Sequence, residues 1–260
     1  MKEFFGIGGF TREPEGYMSW QHLLFVSILM VLMIAGAIWL GKKFKNSEDK
    51  RKNLVLIYSA LVVDGLEIIK IVLRCVEDKD PLAWVYVLPL FLCSIQLIVM
   101  PVAAFGSGRL REASLDFVLI FGVLGAVLGT YGAGQNYSAY PVLSFVNVTS
   151  GIQHALSGFA AIYIGVSGLI SMKKRNMWIT FSIMGAFAVM AYIANIFTDC
   201  NYMFLSRGDG TPYDILYNLV GGNQIIYPIL VVALFVLYIF AFYYIYFYIQ
   251  KKKGNTNTDN

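Results

Sequence analysis

Charged side chains are scarce in this 260-residue chain, and their scarcity excludes an ordinary soluble domain. Asp, Glu, Lys and Arg together make up 14% of the residues, whereas hydrophobic residues make up 58%. A typical soluble domain has about 25% charged residues. We therefore expect lipid to surround most of the chain.

Cysteine and histidine are also rare, which bears on metal and cofactor chemistry. The 3 cysteines and 2 histidines do not follow the spacing of zinc ligands. No glycine-rich nucleotide-binding motif occurs either. We therefore predict no metal site and no cofactor.

The longest polar connection, residues 199–223, is too short to form a soluble domain.

Seven apolar stretches are each about long enough to cross a bilayer. A backbone exposed to lipid must satisfy its own hydrogen bonds, so these stretches should be helical. The predicted fold is all-α, a polytopic membrane bundle of seven transmembrane helices. The predicted spans are Ser19–Leu40, Asn53–Cys75, Leu82–Phe105, Ser114–Tyr131, Val146–Ile170, Met177–Thr198 and Gln224–Ile249.

The distribution of Lys and Arg predicts the orientation of the bundle. About fourteen of these residues follow the first, third, fifth and seventh spans, against about four in the other segments. Because basic segments stay in the cytoplasm, we predict an extracytoplasmic segment at 1–18, a transmembrane domain at 19–249 and a cytoplasmic basic tail at 250–260. No cleavable signal peptide is expected in residues 1–18. The net charge of +4 reflects this bias and indicates no nucleic-acid partner.

Polar side chains inside the predicted spans indicate a site. Each ionisable group at the centre of a span costs about 2.5 to 3.5 kcal/mol, so such groups usually have a function. In the second span, Glu67, Lys70 and Arg74 have helical spacings that place them on one face. In other spans, Cys93 lies roughly 16 Å and His154 roughly 12 Å below the outer end of its helix. Further polar residues lie at similar depths: Gln96, Gln153 and Asn195.

Other interpretations of these polar residues remain open. Glu67 with Lys70 or Arg74 is also consistent with a structural ion pair that joins two helices. A transporter or a small-ligand binder would line a polar path with the same groups, and an assembly subunit would have a dry, ion-paired interior. Cys75 and Cys200 both lie near outer ends of spans, where a disulfide is permitted.

Four stretches resemble a known family. The segment Leu88-Pro89-Leu90-Phe91-Leu92-Cys93-Ser94 resembles the third-helix signature of the YwaF-like family of bacterial integral membrane proteins, which are related to a eukaryotic transmembrane phospholipid acyltransferase. His154, within Gln153-His154-Ala155-Leu156, and Glu67 resemble the family's buried histidine and second-helix acid. The stretch Asn201-Tyr202-Met203-Phe204-Leu205 resembles its N-Y-M-F-L motif.

Two positions depart from the family pattern. Phe91 stands where the family has a histidine, and Gly221–Gln224 replaces its Gly-Pro-Trp-rich entry to the last helix. The resemblance implies a bacterial cytoplasmic membrane protein that acts on membrane lipids. It implies a thiol-dependent acyl transfer between phospholipid and lysophospholipid; hydrolysis of the acyl lipid is the related possibility.

The residues fit this chemistry in defined roles. Cys93 is the candidate nucleophile, and His154 is the candidate base that activates it. Glu67 would orient the imidazole or, with Lys70 and Arg74, hold a lipid phosphate. Three amides are candidate donors to the oxyanion: Gln96, Asn195 and Asn201.

Overall fold

A computed structural model describes residues 2–169 and 172–256, and within these ranges the chain forms helices and no strand. Three parts of the sequence-based predictions lie outside the described residues: Met1, the end of the fifth span at Ile170, and residues 257–260 of the basic tail. The chain divides into two compact units, 1–171 and 172–260.

The first unit contains seven α-helices and one 3₁₀ turn. Ser19 and Ser144 each begin a long helix by accepting a hydrogen bond from a backbone N–H three residues ahead, at 3.2 Å and 3.3 Å, which is the usual role of serine at an N-cap. The elements are α1 (Lys2–Phe5), α2 (Trp20–Phe44), α3 (Asp49–Glu77), a 3₁₀ turn (Ala83–Val87), α4 (Gln96–Phe105), α5 (Gly108–Thr130), α6 (Gly134–Ala139) and α7 (Phe145–Ser167).

Helix α7 is at the centre of this unit and packs against α2, α3 and α5. Small residues allow the α5–α7 approach: a Cβ added at Gly122 would lie 2.7 Å from that of Ala161, and one at Gly158 would lie 2.7 Å from that of Ala126. Distances this short exclude a larger residue at either glycine. Four glycines in or directly after the fourth predicted span lie near one helical face, Gly122, Gly125, Gly129 and Gly132, and this pattern predicts helix packing; the contact confirms it at Gly122.

The third predicted span is not a continuous helix. Within Leu82–Phe105 the backbone forms a short 3₁₀ turn, an irregular stretch, and then the 10 residues of α4. Pro89 explains the break, since proline disfavours helical geometry in the residue before it, and Leu88 is extended at φ −58° and ψ 148°. The irregular stretch contains Cys93.

The second unit is a helix pair with a connecting loop. Helix α8 (Met177–Thr198) follows a 3₁₀ turn (Lys174–Asn176) and packs against α10 (Ile226–Thr256). A 3.2 Å hydrogen bond joins the hydroxyls of Thr180 and Tyr243 within this pair. The connection contains a second 3₁₀ turn, Tyr202–Phe204, and helix α9, Asp214–Leu219.

Four helical segments in the described residues are long and apolar enough to cross a membrane: Trp20–Phe44, Gly108–Ala139, Lys174–Thr198 and Ile226–Lys252. The other three predicted spans correspond to α3 and α7, which contain more polar residues, and to the short α4. The described part of the chain is therefore all-helical, with four candidate membrane-spanning helices. The count of seven spans and the orientation of the termini remain predictions.

Candidate functional site

A cavity of about 60 Å³ lies between α3, α7 and the segment leading into α4. By the usual measure a water molecule needs about 10 to 15 Å³, so the cavity has room for several. Its lining combines polar and apolar side chains: Val63, Glu67, Lys70, Cys93, Ser94, Gln96, Leu97, Ser150, Gln153, His154 and Ser157. The structure thus brings together five of the eight predicted site residues.

The side chains of Cys93 and His154 line this cavity together. The ring of His154 is anchored at Nδ1, which lies 2.7 Å from the backbone carbonyl oxygen of Ser150. A carbonyl oxygen can only accept, so Nδ1 has the proton in this arrangement. In the neutral ring Nε2 is then unprotonated, which is the tautomer that a general base requires.

Two glycines of α5 make the space for this pair. A Cβ at Gly125 would lie 3.9 Å from the Cβ of Cys93, and a Cβ at Gly129 would overlap Cδ2 and Nε2 of His154. No side chain is therefore compatible with the observed ring position at residue 129. Sequence reasoning assigned these glycines to helix packing alone; their position on one face of α5 was the available signal, but it did not identify the imidazole as the partner.

The acidic side of the cavity is a hydrogen-bonded cluster. Glu67 Oε2 accepts from Gln153 Nε2 at 2.9 Å and pairs with Lys70 Nζ at 2.5 Å. Gln153 Nε2 also donates to the carbonyl oxygen of Val63 at 3.1 Å. The ion pair thus lies within α3, and the Gln153 amide is the group that joins α3 to α7. The Ser150 carbonyl, and not Glu67, bonds His154 Nδ1.

Arg74 does not line the cavity. Its guanidinium pairs with Asp78 at 2.5 Å, one turn further along the chain, and its side chain is 45% exposed. Helical spacing alone predicts that Arg74 lies on the same face as Lys70. The ion pair that Arg74 forms is instead with Asp78, four residues further along the helix. The predicted three-residue charge cluster is therefore reduced to Glu67 and Lys70.

Gln96 is the first residue of α4 and is 2% exposed. Neither its Nε2 nor its Oε1 has a hydrogen-bond partner within the described part of the chain. Buried amides are nearly always bonded, so an unpaired one beside a cavity is a candidate ligand-binding group.

Asn195 and Asn201, the other predicted oxyanion donors, belong to the second unit and have local partners. The amide of Asn195 bonds both backbone groups of Tyr202, at 2.7 Å to N and 3.1 Å to O. Asn201 donates to the carbonyl oxygen of Arg207 at 2.7 Å and to Asp209 Oδ2 at 2.8 Å. These bonds hold a loop whose backbone turns through positive φ at Met203 and Phe204. The structure therefore gives both amides a role in shaping this loop.

All three cysteines, Cys75, Cys93 and Cys200, have free thiols. The disulfide considered for Cys75 and Cys200 is not formed. Cys75 Sγ instead lies 3.9 Å from the carbonyl oxygen of Pro81.

Comparison with protein families matches residues 17–246 to the TMEM164 family, and the chain belongs to that family. The match includes every residue that lines the cavity. No curated protein and no solved structure matches the chain. With its four apolar helices, the chain is therefore a membrane protein of the TMEM164 family.

Proposed function

We propose that this TMEM164-family protein is a membrane-embedded acyl-lipid enzyme, a phospholipid acyltransferase or lipid hydrolase, with Cys93 as nucleophile and His154 as general base. The observation that supports this function best is the anchored imidazole: Nδ1 donates to the Ser150 carbonyl at 2.7 Å, and the ring lines the same cavity as the Cys93 thiol. A nucleophile, its base and a group that orients the base are the usual parts of a covalent catalyst.

In the first half-reaction, Cys93 sulfur attacks the carbonyl carbon of a phospholipid ester while the thiol proton moves to His154 Nε2. The bond from that carbon to the alcohol oxygen breaks, and the leaving oxygen takes the proton from His154. The products are a thioester on Cys93 and a lysophospholipid. Because a thiol in apolar surroundings is a weak nucleophile, the base within hydrogen-bond reach is essential.

In the second half-reaction, the hydroxyl of a second lysophospholipid attacks the thioester. Its proton goes to His154, the carbon–sulfur bond breaks, and the thiolate of Cys93 recovers the proton. Water in place of the hydroxyl gives a free fatty acid, so transfer and hydrolysis share the same residues.

We place this chemistry in the outer half of a bilayer crossed seven times, with the amino terminus outside and the basic carboxyl-terminal tail in the cytoplasm. The resemblance to the YwaF-like family supports a bacterial cytoplasmic membrane as the location and membrane lipids as the partners. Lys70, at the cavity rim and 28% exposed at its side chain, is the cation available to a lipid phosphate.

The proposal is tested with purified protein in lipid nanodiscs and an alkyne-tagged fluorophosphonate or acyl-ester probe. Cys93→Ala should abolish labelling, and Cys75→Ala should label like the wild type, since Cys75 is a free and similarly half-buried thiol outside the cavity. Equal labelling of wild type and Cys93→Ala would remove the nucleophile. A non-enzymatic transporter or lipid-binding protein would give that result while still binding lipid.

A further inference from the structure

Gln96 is the most unusual polar group in the cavity. It lies three residues after Cys93, is 2% exposed, and has no hydrogen-bond partner at either amide atom within the described residues. It also lines the same cavity as the thiol. An unpaired carboxamide is unfavourable in an apolar interior unless a ligand completes its hydrogen bonds.

The backbone N–H groups at the start of α4 are already used. The backbone N–H groups of Gln96, Leu97 and Ile98 each donate to the carbonyl oxygen three residues earlier in the chain, at 3.3, 3.0 and 3.0 Å. These bonds form the first turn of α4, so its amino-terminal N–H groups are not available to a ligand.

The other nitrogen donors that line the cavity have partners as well. Gln153 Nε2 donates to Val63 and Glu67, and Lys70 Nζ is paired with Glu67. The side-chain amide of Gln96 is therefore the side-chain nitrogen donor that has no partner among the described residues of the cavity lining.

We propose that Gln96 Nε2 donates to the carbonyl oxygen of the acyl group and stabilises the oxyanion of both tetrahedral intermediates. This inference rests on the proposed function. The negative charge appears on that oxygen as the bond to Cys93 sulfur forms, and it disappears when the alcohol or the sulfur leaves. Gln96 transfers no proton. Its side chain is buried at the start of a helix, which restricts its movement before the reaction, and a donor positioned in advance is effective.

The test compares two variants of Gln96 with a matched glutamine. Gln96→Met keeps the length of the side chain and removes the donor; kcat should fall by about 10²- to 10³-fold, and Tm should stay the same or rise, since an unpaired amide is removed. Gln96→Glu is isosteric and lacks the donor when it is ionised, so above the pKa of the new carboxyl it should show the same loss of kcat. Gln153→Met, which breaks two observed hydrogen bonds, should lower Tm.

Each outcome decides a separate claim. If Cys93→Ala is inactive but both Gln96 variants retain kcat within about threefold of the wild type, the role of Gln96 is overturned and the nucleophile stands. If the Gln96 variants lose activity only in proportion to lost Tm, Gln96 is a structural residue and the inference also fails. If Cys93→Ala remains active, the proposed function itself fails.

Discussion

The two histidines of this chain show how neighbours decide the role of one residue type. His22 is fully buried, and both ring nitrogens bond to backbone: Nδ1 accepts from Met18 N at 3.2 Å and Nε2 donates to Thr130 O at 3.1 Å. For His154, the backbone contact is made by Nδ1. The first is a structural histidine, and the second is the proposed base.

Replacing each histidine by glutamine should separate these roles. His154→Gln is expected to lower kcat by about 10²- to 10⁴-fold with little change in Tm, because a general base is lost. His22→Gln should lower Tm and leave the rate per folded molecule near the wild-type value. Acyl-transfer kinetics and thermal unfolding of the purified variants check both; a full rate in His154→Gln would contradict the assignment.

Glu15 gives the amino-terminal segment a dependence on pH. Burial raises the pKa of its carboxyl, but the hydrogen bond from Val142 N, at 2.8 Å, and the charge of Arg12 outweigh burial and hold the pKa below its ordinary value of 4.5. A carboxyl whose pKa is lower in the folded state stabilises the fold above its unfolded pKa, and that stabilisation is lost as pH falls through the lowered pKa.

Contact of the segment around Glu15 with the rest of the first unit should therefore weaken between pH 5 and pH 3. Hydrogen exchange at Val142, corrected for intrinsic rates, should accelerate over that range in the wild type. In Glu15→Gln the acceleration should be smaller, and the same acceleration in both proteins would rule out Glu15 as its source.

Sequence reasoning identified most of the cavity at the residue scale. Glu67, Lys70, Cys93, Gln96 and His154 all line it, because ionisable and polar groups within apolar stretches are costly enough to be noticed one at a time. Partners could not be predicted in the same way. Arg74 forms an ion pair with Asp78, and Asn195 forms hydrogen bonds with backbone groups of Tyr202. These pairings depend on side-chain geometry at the end of a helix and in a loop, which the sequence does not give.

At the scale of elements, the close approach of α5 and α7 positions the ring of His154, the proposed base. Gly129→Ala should displace the His154 ring, because the new methyl group would overlap it. Overpacking of this kind costs about 1 to 3 kcal/mol, and acyl transfer should fall at least tenfold. Gly65→Ala in α3 is the matched control, since its Cβ meets no atom within 4 Å.

The control should stabilise its helix by up to about 1 kcal/mol and preserve activity. Thermal unfolding and initial rates measured together distinguish displacement of the ring from general loss of fold. Wild-type activity in Gly129→Ala would show that His154 does not need its observed position.

Hydropathy could not predict the break between the 3₁₀ turn and α4. A window of about 19 residues gives a mean hydropathy in which Pro89 has little weight, whereas proline changes the backbone geometry of the residue directly before it. The consequence is functional: Cys93 lies on the irregular stretch before α4, where side chains are not confined to one helical face.

At the scale of the whole molecule, the orientation in the membrane can be tested in a background without native cysteines. Asn46→Cys, after the first predicted span, and Asn223→Cys, before the last, are both exposed positions. The excess of basic residues predicts that an impermeant maleimide labels Asn223→Cys in intact cells and Asn46→Cys only after permeabilisation. The reverse pattern would invert the predicted topology.

The central claim is that Cys93 becomes acylated while His154 serves as its base, and intact-protein mass spectrometry tests it most directly. After brief mixing with a phospholipid of a single acyl composition, the wild-type protein should gain the mass of one acyl group, sensitive to neutral hydroxylamine and located on the peptide that contains Cys93. His154→Gln should accumulate it far more slowly, and Cys93→Ala should not gain it. An acyl group found on another residue, or none on Cys93 in a protein that still turns over lipid, would contradict the account.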